Sequence, residues 1–346
     1  MGPLDADYND SANNSNDIVT DAKWSKIFPP CTAEFEMSSK FITRALFVAF
    51  SVILKRRKIL PPDYFSKNHI TEKISCASLN FNNEKALKIA QLLKNTGDAV
   101  QLGYLKEIAL VITENEQDEE AIEVYSFKFH YFDHGVTAQF NTTANGEQLS
   151  PFERLAKLEY QGTASVRDQL VMLTKNIVFL CEKVLEKLPE TFDANFRFDY
   201  TDQAPVDYRV EGCFNSTTFY TLPAGIQSAS IGHLRPGHHA TLLDCSSIFI
   251  ADSYQAELSL KRFTTKLSDK LGFVANDVLY KTFVTDESSS HRTIGMMAED
   301  GTNGGNKSNE LSQDSPVMRP ITRRDSERVN KGRDSPYVKK VHSRKR

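Results

Sequence analysis

The chain has no uninterrupted run of roughly 18 apolar residues, so the sequence on its own gives no membrane-spanning helix. It is poor in cysteine. Cys31, Cys76, Cys181, Cys213 and Cys245 are odd in number, far apart and contain no C-x-x-C pair. That pattern argues against a disulfide scaffold and a zinc finger and fits a reducing nucleus or cytoplasm. Residues 1–21 are rich in Asn, Asp and Ser and carry neither a basic n-region nor an apolar h-region, so no secretory signal is expected there. Motifs of catalysis are missing too: there is no G-x-S-x-G elbow, no P-loop, and no G-x-G-x-x-G after a strand. His233, His238, His239 and Asp244 fall in a Gly/Pro-punctuated stretch without Cys/His ligand spacing, which argues against a metal site. The reading is of a protein that is not an enzyme and needs no cofactor.

What is present is ordinary for a globular chain: 346 residues, 40% hydrophobic and 25% charged. The charge is unevenly placed. Residues 315–346 hold 11 Lys/Arg against 3 Asp/Glu, a net of +8, which leaves −11 for the rest of a chain of net −3. An acidic body with a basic tail points to separate work for the tail, such as nuclear import, weak phosphate contact or peptide docking.

Residues 1–30 offer few large apolar groups to offset the entropy of ordering and read as a disordered segment. The exception is Trp24–Phe28, which holds the only tryptophan and either packs on the domain or serves as a short recognition segment. From Lys40 to Lys55 apolar residues cover most of a helix circumference, as in a central buried helix. Ser38 or Ser39 is expected to cap it and Lys55–Lys58 to sit at its C-terminal dipole. A second helix is expected over 83–102, with Ala86, Leu87, Ile89, Ala90, Leu92 and Leu93 facing inward. Strands follow at 105–113, 123–131 and 136–141. In the second, Val124, Ser126, Lys128 and His130 alternate with Tyr125, Phe127, Phe129 and Tyr131. A long helix is expected over 165–188, ended by Pro189. Asn195–Thr201 alternates again, with Phe196, Phe198 and Tyr200 on one face. The next fifty residues are turn-prone and β-rich, and one more amphipathic helix is expected within 252–273. The sum is an α+β fold, an antiparallel sheet packed on three helices.

Several separated blocks carry a family resemblance. The helix Phe41–Leu54, the segment Arg57-Lys58-Ile59-Leu60-Pro61-Pro62-Asp63-Tyr64-Phe65 and the strand Ile122-Glu123-Val124-Tyr125-Ser126-Phe127-Lys128-Phe129 resemble the HORMA domain, and specifically its meiotic chromosome-axis branch. Pro205-Val206-Asp207-Tyr208-Arg209-Val210-Glu211-Gly212-Cys213-Phe214 is similar to the segment where that branch leaves its core sheet. It departs from the Pro-Pro-Gly-Phe-like block of other members. The format, one such domain and a short tail, looks like the nematode axis proteins.

The resemblance implies a HORMA domain over 31–250 with a "safety belt" at about 203–246. An extension at 251–284 and a basic tail at 285–346 follow. A partner's closure motif would add to the sheet as a strand and the belt would cross over it. An edge strand has free N–H and C=O groups that suit such a peptide whatever its side chains. The residues implied to hold it are Phe196, Phe198 and Tyr200 on the strand, with Phe214, Phe219, Tyr220, Leu222, Ile231 and Leu234 on the belt. Ile226, Leu242 and Leu243 are further belt anchors. Each such side chain is worth roughly 1.5–3 kcal/mol when fully buried, so exchange should be slow.

The implied partners are closure motifs of other meiotic HORMA axis proteins and the protein's own tail, in cis or trans. Chromatin association would be mainly indirect, with no membrane, and the location the nuclear meiotic chromosome axis. Two tail stretches suit an extended peptide: Val317–Ile321, and Pro336, Tyr337, Val338, Lys339, Lys340 and Val341 within 334–346. The second is favoured because it is terminal, mixes Pro with aromatic and β-branched residues, and has basic flanks. Ser315 and Ser335 precede prolines and Ser326 follows Arg323-Arg324-Asp325, forms suited to phosphorylation; phosphate at Ser335 would change the charge beside the motif. The competing reading is a HORMA checkpoint adaptor that switches between open and closed belts without building an axis.

Overall fold

A computed structural model describes residues 22–71, 74–115, 120–132, 155–214 and 219–273. The expected strand at 136–141, the tail stretches Val317–Ile321 and Pro336–Val341, and Ser315, Ser326 and Ser335 lie outside these residues.

The core begins earlier than the expected helix. A single turn, α1 (Trp24–Ile27), places Trp24 fully out of water, stacked on Phe28 at 4.4 Å and tilted over Phe41 at 5.9 Å. Trp24 Nε1 donates to the Pro29 carbonyl at 3.1 Å, and Arg44 Nη1 donates to the Ile27 carbonyl at 2.7 Å. Of the two readings for this patch, packing on the domain is the one observed.

Helix α2 (Phe35–Arg56) is buried nearly all round, as its apolar circumference requires. By length and composition it is apolar enough to cross a bilayer, but it is sheathed by the sheet and neighbouring helices as a core helix. It starts at Phe35, with Glu34 as the capping residue, so neither Ser38 nor Ser39 caps it. The Ser38 hydroxyl is committed to a distant turn instead, as described below. A two-stranded hairpin, β1 (Phe65–His69) with β2 (Ser75–Leu79), leads to α3 (Glu84–Gln101). Asn83 Oδ1 caps α3 by accepting from the Lys85 and Ala86 amides. Leu87, expected inward, is 42% exposed, because the face of α3 that packs on α2 is set by Ala86, Ile89, Ala90 and Leu93.

Five antiparallel strands form the main sheet in the order β5-β3-β4-β7-β6. These are β3 (Leu105–Thr113), β4 (Ala121–Tyr131), β5 (Asp193–Tyr200), β6 (Gln227–Leu234) and β7 (His239–Ser247). The alternation in β4 is realised as written: Tyr125, Phe127 and Phe129 enter the core under the helices, and Val124 joins a small cluster on the outer face.

Helix α4 (Thr163–Phe179) stops sooner than the expected end at Leu188. It widens into one π-helical turn, Leu180–Val184, and the chain is extended from Leu185. Pro189 stands four residues beyond the extended Leu185, where its ring would oppose a continuing helix. In the extended stretch Arg57 Nη1 donates to the Glu186 carbonyl at 2.7 Å, a tertiary bond in place of a helical one. The last helix, α5 (Ser253–Leu271), is capped by Asp252 and closed by left-handed Gly272. Phe263 of α5 stacks on Phe179 at 4.4 Å. Asn176 of α4 donates to the Ile231 carbonyl of β6 at 2.9 Å and accepts from Thr264 Oγ1 of α5 at 2.8 Å.

Candidate peptide-binding edge and belt

Strand β5 lies at the edge of the main sheet. It pairs with β3 on one side, Phe198 opposite Ile108 and Phe196 opposite Leu110, and no strand pairs with its other side among the described residues. Such an edge carries backbone groups able to bind a further strand. Phe196, Phe198 and Tyr200 pack toward the helical layer but remain half-buried, and the Phe196 ring meets Phe50 edge-on at 5.0 Å.

The segment after β5 is pinned first on the helix side. The Thr201 amide donates to the Tyr104 carbonyl at 2.8 Å and its hydroxyl to the Gly103 carbonyl at 2.9 Å. Gly103 holds φ +71°, a conformation that glycine adopts without strain. Tyr208 is edge-on to Tyr104 at 5.0 Å and to Tyr200 at 5.5 Å. The Tyr200 hydroxyl accepts from the Val210 amide at 3.1 Å, Val210 is buried in the main core, and Asn95 Nδ2 donates to the Glu211 carbonyl at 3.2 Å. Burial raises the pKa of both Tyr200 and Tyr208, so these phenols stay protonated.

The same segment is pinned again on the opposite face. Phe219 and Tyr220 pack over Ala109, Val111, Ala121 and Val124. Arg197 of β5 donates from Nη1 to the Phe219 carbonyl at 2.8 Å, the Ala121 amide donates to the Thr221 carbonyl at 2.9 Å, and the Tyr220 hydroxyl donates to Glu107 Oε1 at 3.0 Å. Ser126 also donates to that oxygen. Burial, and then the Glu107 carboxylate, pushes the Tyr220 phenol up and keeps it a donor. Val210 and Phe219 thus dock on opposite faces of the sheet, and the open edge of β5 lies between the two docking points.

Beyond Thr221 the chain forms the β6–β7 hairpin, and β7 pairs with β4 on the side of the sheet away from β5. Ile231, Leu234, Leu242 and Leu243 are buried there, so they hold the hairpin and do not line the β5 edge. Phe214 is 75% and Leu222 39% exposed, so neither is docked as an anchor. The structure therefore gathers Phe196, Phe198, Tyr200, Phe219 and Tyr220 around β5 and places Ile231 and Leu234 elsewhere. Sequence reasoning missed Tyr104, Asn95, Glu107 and Arg197, which reach the site only through strand register and helix packing. Tyr208 had a signal, since it sits in the Pro205–Phe214 block. From 190 to 214 the chain carries Glu190, Asp193, Asp199, Asp202, Asp207 and Glu211 against Arg197 and Arg209, a negative setting for the edge.

An edge strand with Val210 docked on one face of its sheet and Phe219 on the other marks the candidate site of this α+β domain. Residues 38–239 match the HORMA domain family, and the chain belongs to that family. It is similar to C. elegans HTP-1 in the structure of HTP-1 bound to the HIM-3 closure motif: 52% identity, TM-score 0.64, covering 68% of this chain and 100% of that one. It is likewise similar to C. elegans HTP-2 bound to HTP-3 closure motif 1, with 50% identity, TM-score 0.64, and coverage of 71% of this chain and 100% of that one. Human HORMA domain-containing protein 1 is 24% identical over 191 residues, 54% of this chain and 45% of that protein, so the chain spans less than half the length of that relative. The expected α+β HORMA fold and the likeness to nematode HORMA proteins are both borne out.

Proposed function

We propose that this protein is a non-enzymatic component of the nuclear meiotic chromosome axis that clamps closure-motif peptides of partner axis proteins. The observation that carries this reading is the open edge of β5 lying between two docking points of one segment. A peptide in extended form would satisfy the backbone of β5, and the belt would pass over it, so release would require undocking Val210, Phe219 and Tyr220. The support from relatives is that HTP-1 and HTP-2 carry closure motifs in their solved structures. The negative setting of the edge suits a peptide with basic flanks. Through such capture the protein would support homolog pairing, synapsis, recombination control and cohesion, with its chromatin association mainly indirect.

The protein's own tail is the first peptide to test, in cis or trans, with Tyr337 and Val338 as its anchors. A fluorescein-labelled peptide of residues 334–346 is titrated against a chain ending at Phe273 and followed by anisotropy. Saturable binding is expected, lost when Tyr337 and Val338 are both replaced by Asp. Binding by the 315–324 peptide alone would move the motif to Val317–Ile321, and failure of both peptides would remove the tail as a ligand.

A further inference from the structure

The turn joining β6 to β7 is held by contacts from several distant parts of the chain. Arg235 is 2% exposed. Its amide donates to Gln169 Oε1 at 2.8 Å and its Nε to the Leu158 carbonyl at 2.9 Å. Its Nη1 donates to the carbonyls of Gly237 and, at 3.4 Å, His239. The guanidinium carbon lies 3.6 Å from the centre of the Phe132 ring. One residue on, the Pro236 carbonyl accepts from Ser38 Oγ at 2.8 Å, and the same hydroxyl meets His239 Nδ1 at 2.7 Å. Gly237 has φ +30°, and a Cβ there would come within 2.3 Å of the Thr32 carbonyl and 2.6 Å of that of Ala33. The backbone before α2 thus lies directly against the turn. The open end of the hairpin is different, with Ser228 and Ser246 sharing an exposed hydroxyl contact at 2.7 Å.

The socket for this turn is built by parts of the chain outside the belt: residues 32–38, Phe132, Leu158 and Gln169. We infer that Arg235 is a positioning residue that locks the hairpin in this socket and sets how fast the clamp opens. The inference rests on the reading of 203–246 as a belt and adds where its release is controlled. Burial lowers the Arg235 pKa to about 10, so the side chain is still charged at neutral pH. A guanidinium removed from water is tolerated when its N–H groups meet acceptors and its face meets a ring, and it is strongly disfavoured when it does not. A half-withdrawn turn would keep the cation out of water while losing Leu158 and Phe132. Seating is therefore all-or-none, and leaving the socket is the costly step of opening.

Hydrogen exchange read by mass spectrometry on the full chain tests this without any ligand. Arg235→Met removes the charge, Arg235→Lys keeps it but loses the fork, and Ser38→Ala removes the hydroxyl that bonds Pro236 and His239 from the opposite wall. For both Arg235 variants, exchange across Gln227–Leu234 and His239–Ser247 is expected to quicken at least 10-fold, with α3 and β3 unchanged. For Ser38→Ala a smaller change of the same pattern is expected. If Arg235→Met does not fold, the other two variants decide. Unchanged hairpin exchange, or equal quickening of α3 and β3, would overturn the inference, since the latter marks general destabilisation. Where the labelled 334–346 peptide binds the wild-type chain, its dissociation should also quicken about 10-fold in Arg235→Lys. Absence of binding to wild type counts against the peptide, not against the lock, which the exchange pattern judges alone.

Discussion

Arg57 at the end of α2 grips Glu123 of β4 with both sides of its guanidinium, Nε to Oε1 and Nη2 to Oε2, each at 2.7 Å. Neither side chain is more than 3% exposed. Ser247 of β7 donates to the same carboxylate at 2.9 Å, so the pair ties the central helix to the sheet and to the β6–β7 hairpin. Breaking a buried pair strands the remaining charge. Glu123→Ala is expected to cost about 3–5 kcal/mol, read as a shift in the urea midpoint with little change in slope. A cost near zero would mean that water reaches Arg57.

The docking of Tyr220 on the outer face of the sheet, read as part of a belt, makes a kinetic prediction. Tyr220 is half-buried, so Tyr220→Ala should lose about 1–2 kcal/mol of docking, given roughly 1.5–3 for full burial of a large apolar group. Release of a bound peptide should then quicken by about 5- to 30-fold, measured by stopped-flow displacement. Tyr220→Phe, which keeps the ring and drops the bond to Glu107, should fall between the two. Equal rates for wild type and Tyr220→Ala would show that this contact does not restrain the belt.

Acid should weaken the fold through two histidines of the hairpin. Burial lowers His233 from 6.5 to about 4 and His239 from 6.5 to about 3. Between about pH 6.5 and 4 the unfolded chain therefore binds protons that the folded chain does not, and stability falls as pH falls. Each histidine contributes up to about 1.4 kcal/mol per pH unit in that window and nothing above it. Urea titrations of wild type and His233→Gln at pH 7, 6 and 5 should give a shallower pH dependence for the variant. Parallel curves would contradict the buried neutral state of His233.

The N-terminal strap is predicted to be structural. Replacing fully buried Trp24 with Ala should cost about 3–5 kcal/mol, and a chain beginning at Ser38, which lacks Trp24 and Phe28, should melt at clearly lower temperature. A melting point within a degree of wild type would show that residues 22–37 add nothing to the core.

Much of this was legible in order along the chain. The circumference of α2, the alternation of β4 and the Asp252–Gly272 span of α5 are local patterns, and each produced its element. The hairpin at 65–79 was not, because Phe65-Ser66-Lys67-Asn68-His69 has no alternation to mark it. Leu87 was misplaced because a helix with apolar residues at adjacent positions does not say which of them its neighbour covers. Phe214 and Leu222 look like Phe219 and Tyr220 by composition, yet only the second pair finds a cluster to sit on.

By itself, the sequence determined the longer helices and the strands β3, β4 and β5, that the chain is built on one α+β core, and that a β-rich, turn-prone segment follows β5. Those properties depend on side-chain periodicity and backbone preference, which act over a few residues. Only the tertiary structure decided that Val210 and Phe219 lie on opposite faces of one sheet, that Ser38 serves a turn two hundred positions away, and that Arg235 is enclosed. Such relations depend on strand order and register, which are settled by the packing of the whole core and leave no mark in any one segment.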